Sequence, residues 1–123
     1  MQPSYKYNGI VTKVIDGDTL VITVDLGFDI YSKVRFRLWG LDTPEKTSKI
    51  PEVRLIASQA TEFVKSTVDG KTVLVESVEK DKYGRWLAKV HIDELQPSLN
   101  EQLVALGLAK VYFGDSKVNV GWI

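Results

Sequence analysis

The chain has no cysteine among its 123 residues, so disulfides and thiolate zinc sites are excluded. A single histidine, His91, leaves no basis for a multi-histidine metal centre. Any metal would therefore be bound by oxygen, which points to hard cations such as calcium or magnesium. An excess of one charge is also missing, because sixteen basic side chains balance sixteen acidic ones. Tight non-specific nucleic-acid binders usually carry a positive excess, and this chain does not. The balance still permits a site where a bound dication and a local basic rim reverse the field. No apolar run approaches the ~20 residues of a membrane helix, so no membrane partner is expected. Residues 1–7 show neither the apolar segment nor the small-residue cleavage site of a signal peptide. The expected location is cytoplasmic unless a leader has been removed.

What is present is the composition of a soluble globular protein, 44% hydrophobic and 26% charged, with length for one core. The reading is one domain over 1–123, with residues 1–7 as a loose arm. A first strand runs from Tyr7 to Ile15, and Asp16-Gly17 is a hairpin signal that suits a turn with φ > 0. Leu20, Ile22, Val24 and Leu26 then share one face of a second strand. After Gly27-Phe28-Asp29, a third strand spans Ile30 to Leu41, with Val34, Phe36 and Leu38 opposite Arg35, Arg37 and Trp39.

From Glu52 the period changes to helical, with Ile56, Ala60, Phe63, Val64 and Thr67 as the stripe and Gly70 as the stop. Strands follow over Lys71–Glu79 and Arg85–Ile92, joined by the turn Asp81-Lys-Tyr-Gly84. A short helix from Leu99 to Leu106, with Ser98 as cap and Gly107 as stop, precedes an extended segment over 108–113. The fold class is α+β, mainly β: a five-stranded Greek-key barrel of OB type with two helices.

Three loop-proximal segments hold the charges a core does not need: Asp16-Gly-Asp18, Asp42-Thr-Pro-Glu45 and Asp81-Lys-Tyr-Gly-Arg85. Asp18 begins strand two and Asp42 follows strand three, so antiparallel pairing brings these two carboxylates together as oxygen ligands. Each segment alone also fits an ordinary turn, Arg35 and Arg37 an ordinary solvated face, and Trp39, Tyr83 and Trp86 ordinary packing.

Jointly, Ile15-Asp-Gly-Asp-Thr19, Arg37-Leu-Trp-Gly-Leu-Asp-Thr-Pro-Glu45, Asp81-Lys-Tyr-Gly-Arg-Trp-Leu-Ala88 and the segment from Leu99 to Val111 resemble the signature blocks of the staphylococcal-nuclease-like (thermonuclease) family, in order and spacing. The resemblance implies a metal-dependent nuclease that hydrolyses DNA, RNA or both to 3′-phosphate products, preferring single-stranded or unstacked substrate. It implies that Asp18 and Asp42 ligate calcium (magnesium being the alternative), with the Thr43 carbonyl as a further ligand and Asp16 shaping the site from behind. Glu45 would serve as general base. Arg37 and Arg85 would bind the scissile phosphate, Lys82 and Tyr83 a neighbouring phosphate, and Tyr112 and Phe113 a base. A monomer is expected. The alternative is a non-catalytic nucleic-acid- or protein-binding module on the same barrel, which has no need for both arginines together with the carboxylates.

The chain also departs from the family. It is neutral where members are commonly basic. Phe113 stands where a tyrosine is frequent, and the family's third helix near the C-terminus has no counterpart in the sequence after Phe113. Val120-Gly121-Trp122 echoes the family's closing Gly-x-Trp.

Overall fold

The computed structural model describes residues 5–93 and 95–112. Its elements in chain order are β1 (Tyr5–Asp16), β2 (Thr19–Asp25), β3 (Tyr31–Leu38), β4 (Leu41–Asp42), α1 (Pro51–Val68), β5 (Thr72–Lys80), β6 (Trp86–His91), α2 (Leu99–Ala105) and β7 (Lys110–Val111). Five strands close into a barrel in the order β1-β2-β3-β6-β5, while β4 and β7 form a separate two-stranded ladder. With two helices among the described residues and a mainly β chain, this is the expected OB-type architecture.

The core follows from the period-two rows. Val11, Leu20, Ile22, Leu38, Val75 and Val90 point inward and are fully buried, and Val64 and Val68 of α1 complete the same cluster. The barrel closes through a short parallel seam in which only Phe36, Arg37 and Leu38 of β3 pair with Trp86, Leu87 and Ala88 of β6.

Several expectations are corrected in detail. Tyr5 and Lys6, assigned to a loose arm, extend the first strand and are paired with Ser77 and Glu76 of β5. Leu26, assigned to the buried row, is exposed, because β2 ends at Asp25, whose carboxylate accepts the Gly27 N–H at 2.8 Å. The third strand does not run through to Leu41. It stops at Leu38, Gly40 takes a left-handed φ of 81°, and the chain leaves the barrel to form β4 against β7.

Gly17 does not have the positive φ expected of it. A Cβ there would lie 2.8 Å from the Ala60 Cβ and 3.2 Å from the Thr43 Cγ2, so glycine is required for close approach of α1 to the β1–β2 turn. The buried stripe of α1 is rotated accordingly. It consists of Val53, Ala57, Ala60, Thr61, Val64 and Val68, with Ile56, Phe63 and Thr67 at its half-buried margin. Ala60 stands against the turn because its close approach leaves no room for a larger side chain. The expectations for Phe113, the absent third helix and Val120–Trp122 lie outside the described residues.

Candidate active site

Backbone pairing assembles the site before any side chain takes part. Thr19 lies opposite Arg37 in the β2–β3 ladder, and the Leu38 N–H donates to the Asp18 carbonyl at 2.8 Å. The start of β2 and the end of β3 are thus side by side. After the Gly40 bend, Asp42 pairs with Lys110, and the Tyr112 N–H donates to the Gly40 carbonyl at 2.9 Å. This ladder holds Asp42 in place and carries Tyr112 to the same rim.

The carboxylates then converge on one guanidinium. Arg37 Nη2 lies 2.9 Å from Asp42 Oδ1 and 3.8 Å from Asp18 Oδ2. All three side chains are 13–16% exposed, so these charges meet partly shielded from water. Thr19 Oγ1 donates to Asp18 Oδ1 at 3.0 Å and fixes that carboxylate's other oxygen. Behind it, burial first and the neighbouring Asp18 charge second raise the Asp16 carboxyl above its usual value, against the opposing pull of Lys46 and Arg35. Lys46 is tied to this lip, its Nζ donating to the Ile15 carbonyl at 2.6 Å.

The hairpin between β5 and β6 supplies the facing wall. Asp81 organises it: Oδ1 accepts the N–H groups of Tyr83 and Arg85, each at 2.9 Å, and Oδ2 accepts Arg85 Nε at 2.7 Å. Desolvation pushes the Asp81 carboxyl up, but these backbone donors and the guanidinium outweigh it and hold the group below its usual value. Anchoring through Nε leaves the two Nη groups of Arg85 without a hydrogen bond among the described residues, turned to an open cleft. The Tyr83 ring carries Arg85 at 5.5 Å and Lys82 at 5.3 Å from its centroid, and Tyr112 carries Arg37 at 5.7 Å.

A buried amide locks the frame. Asn100 of α2 accepts the Val90 N–H at 3.0 Å and donates to the carbonyls of Trp39 at 2.8 Å and Ala88 at 3.1 Å. It sits where β3 has ended and β6 continues, and so extends the barrel seam with a side chain. The helix that delivers it is capped as expected by Ser98, which accepts the Glu101 N–H while the Glu101 carboxylate accepts the Ser98 hydroxyl.

Asp16, Asp18, Arg37, Asp42, Thr43, Glu45, Lys82, Tyr83, Arg85 and Tyr112 all line one cleft of about 670 Å³. The structure therefore brings together every candidate residue that lies within its described part. The sequence reading passed over the positioning role of Asp81 and the lock at Asn100. Asp81 had a signal, an acid three residues before Gly84 in a turn; Asn100 had none, because its partners are remote in sequence. His91 lies 3.3 Å from Glu76 Oε1 on neighbouring strands. Among the described residues no group of three or more His, Cys, Asp or Glu is close enough to hold a metal ion. The paired Asp18 and Asp42 supply hard oxygen donors and no soft ones, a donor set suited to an oxygen-seeking dication whose remaining ligands come from main chain, water or substrate.

A family model described as staphylococcal nuclease homologue matches residues 35–121. The chain is 39% identical over 107 residues to a thermonuclease of Staphylococcus intermedius, covering 85% of this chain and 59% of that protein. It is 35% identical over 105 residues to an uncharacterized endonuclease of Escherichia coli O157:H7, covering 85% of this chain and 61% of that protein. It is 33% identical over 116 residues to Endonuclease YhcR of Bacillus subtilis, where 88% of this chain corresponds to 9% of that protein. The chain thus spans about three-fifths of the E. coli relative and a small part of the B. subtilis one. Asp16 and Asp18 precede the matched family segment, and the fold returns them to it.

Proposed function

The chain belongs to the staphylococcal nuclease homologue family, and from that premise we propose that it is a metal-dependent nuclease acting on nucleic acid. The observation that carries this reading is the cleft itself. It sets two guanidiniums, one of them with free Nη groups, beside a pair of oxygen-donor carboxylates and a further glutamate.

The finer assignment follows from what hydrolysis of a phosphodiester requires. Asp18 and Asp42, with the Thr43 carbonyl, hold calcium, and Asp16 shapes that end of the cleft. Bound there, the dication polarises a phosphoryl oxygen and offsets its charge. Arg37 serves as the internal counter-charge of both carboxylates in the free protein and offers donors to an equatorial phosphate oxygen in the complex. Arg85, preset by Asp81, presents Nη groups to the charge that develops during attack. Glu45, on the exposed loop after Pro44, orders the attacking water and accepts its proton. Lys82 and Tyr83 bind the adjacent phosphate, and Tyr112 offers a ring to an unstacked base. The products are 3′-phosphate ends, and single-stranded DNA or RNA is the preferred substrate.

The test is digestion of single-stranded DNA by the purified chain with calcium or with EGTA, beside Glu45→Ala and Arg85→Ala. Cleavage that needs the dication and falls about 10²–10³-fold in the Arg85 variant is expected for loss of an oxyanion-type donor. No dication-dependent cleavage over a range of salt and alkaline pH would refute the reading, and binding without cleavage would mark a non-catalytic module.

A further inference from the structure

Arg35 is one of the charges singled out by sequence that do not line the cleft, although it pulls on Asp16 there. On β3, residues alternate between inward Val34, Phe36 and Leu38 and outward Tyr31, Lys33, Arg35 and Arg37. Arg37 lies in the cleft, so the outward row leads away from it along the barrel wall. Cross-strand pairing widens the row: Lys13 of β1 lies opposite Val21, which lies opposite Arg35. Lys13, Lys33 and Arg35 are exposed, and among the described residues none of them makes a salt bridge. On β2 the neighbours of Lys33 and Arg35 are Thr23 and Val21, which carry no charge. The acid opposite Tyr31, Asp25, accepts the Gly27 N–H through Oδ1 and keeps its negative charge at the far end of the row, two positions beyond Thr23. A chain with no net charge thus carries, among its described residues, a row of cations without salt-bridge partners adjoining its cleft, Arg35 exerting only a longer-range pull on Asp16. Tyr31, 61% exposed, ends the row with an open ring.

We propose that the outward face of β3 is a binding track for the backbone of single-stranded nucleic acid, in which Lys33 and Arg35 each take one phosphate beyond the cleft and Tyr31 stacks a base at its far end. This deepens the nuclease reading and rests on it for the direction of the strand. Successive outward residues of a strand stand ~6.7 Å apart, comparable to the phosphate spacing of an extended single strand, and the row from Arg37 to Tyr31 covers about 20 Å. Bases that stay unpaired are free to stack and phosphates to follow the cations, whereas the twist of a duplex carries its phosphates off a straight row.

The test compares Lys33→Ala/Arg35→Ala with a charge-matched control, Lys65→Ala/Lys71→Ala, on α1 and just before β5. Fluorescence anisotropy in EGTA reads the binding of labelled thymidylate di- and octanucleotides, and a parallel assay with calcium reads cleavage of the dinucleotide. Two lost phosphate contacts are expected to weaken octanucleotide binding about tenfold at 0.2 M salt and about 70-fold at 0.05 M, lowering the log–log salt slope by about 1.4. Dinucleotide binding and cleavage should stay at the unmutated level, and the control pair should leave both oligonucleotides unaffected. Unchanged octanucleotide affinity, an equal loss on both lengths, or an equal loss in the control would overturn the track. Failure of the nuclease reading is seen separately, as absence of cleavage by the unmutated protein. An unmutated protein that binds no octanucleotide defeats the track, whatever its cleavage of the dinucleotide.

Discussion

Replacing Asn100 by alanine should cost more than its small surface suggests, and the cost is traceable bond by bond. The side chain is 6% exposed and makes three hydrogen bonds across the end of the β3–β6 seam. The Ala88 carbonyl would keep the bond it receives from the Trp39 N–H at 2.8 Å. The Val90 N–H would be left facing the gap where β3 has ended, and a stranded buried donor costs about 1–3 kcal/mol. Adding the two lost donor bonds at about 1 kcal/mol each, Asn100→Ala should destabilise by about 4 kcal/mol, a large share of the 5–15 typical of a domain. For a chain of this length that lowers the melting midpoint by roughly 12–20 °C. Urea denaturation followed by tryptophan fluorescence, with calorimetry, reads both quantities. Asn100→Asp separates the hydrogen bonds from packing. It keeps the acceptor for Val90 but turns a carboxylate toward two carbonyls, raising its pKa in the folded state. The folded state then holds the proton more tightly, so the penalty is present at neutral pH and recedes as pH falls through that raised value. An alanine variant within 1 kcal/mol of the unmutated protein, or an aspartate variant insensitive to pH, would refute the lock.

Other substitutions probe how the site is held. Asp81→Ala removes the anchors of Arg85 and should lower kcat/KM about tenfold, less than Arg85→Ala, with little change in melting because the hairpin is exposed. Because the folded-state pKa of Asp81 is depressed, its ordering effect is whole above the ordinary carboxylate range. It should be lost only as pH drops through the lower folded value, which the Arg85 Nε–H resonance in NMR would follow. Gly17→Ala places a Cβ 2.8 Å from Ala60 and should destabilise by about 1–3 kcal/mol through overpacking. Ala60→Gly in the same chain should restore part of that loss, less the roughly 1 kcal/mol a helical glycine costs, as read by the melting midpoint.

The sequence was most legible where one residue's environment depends on its strand neighbours. Inward Leu20, Ile22 and Val24 and outward Arg35 and Arg37 follow from alternation alone, and the buried positions agree. Legibility fell where a distant partner decides the outcome. Gly40 reads as any turn glycine, and only pairing with Lys110 and Val111 shows why the strand must break there. Large Ile56 and Phe63 look like the core of α1, yet the β1–β2 turn approaches so closely at Ala60 that the buried stripe is centred on small residues there. The candidate site was visible as three separate segments; their meeting depends on β2–β3 register, the Gly40 bend and the β5–β6 hairpin together. That is a property of the closed barrel, and no segment carries it alone.

Charge balance inside the cleft bears on how its two proposed occupants depend on each other. Asp16, Asp18, Asp42 and Glu45 face Arg37, Lys46, Lys82 and Arg85, four acids against four bases. In that balanced state Arg37 is committed to Asp42 at 2.9 Å. A phosphate arriving alone must compete with Asp42 for Arg37, and a dication arriving alone must compete with Arg37 for Asp18 and Asp42. Arriving together, each occupies the groups the other releases, so neither leaves an uncompensated charge in a partly shielded site. Linkage then requires that each tighten the binding of the other by the same factor. The whole-chain neutrality that argues against non-specific capture thus extends into the cleft, where an internal ion pair stands until both partners replace it.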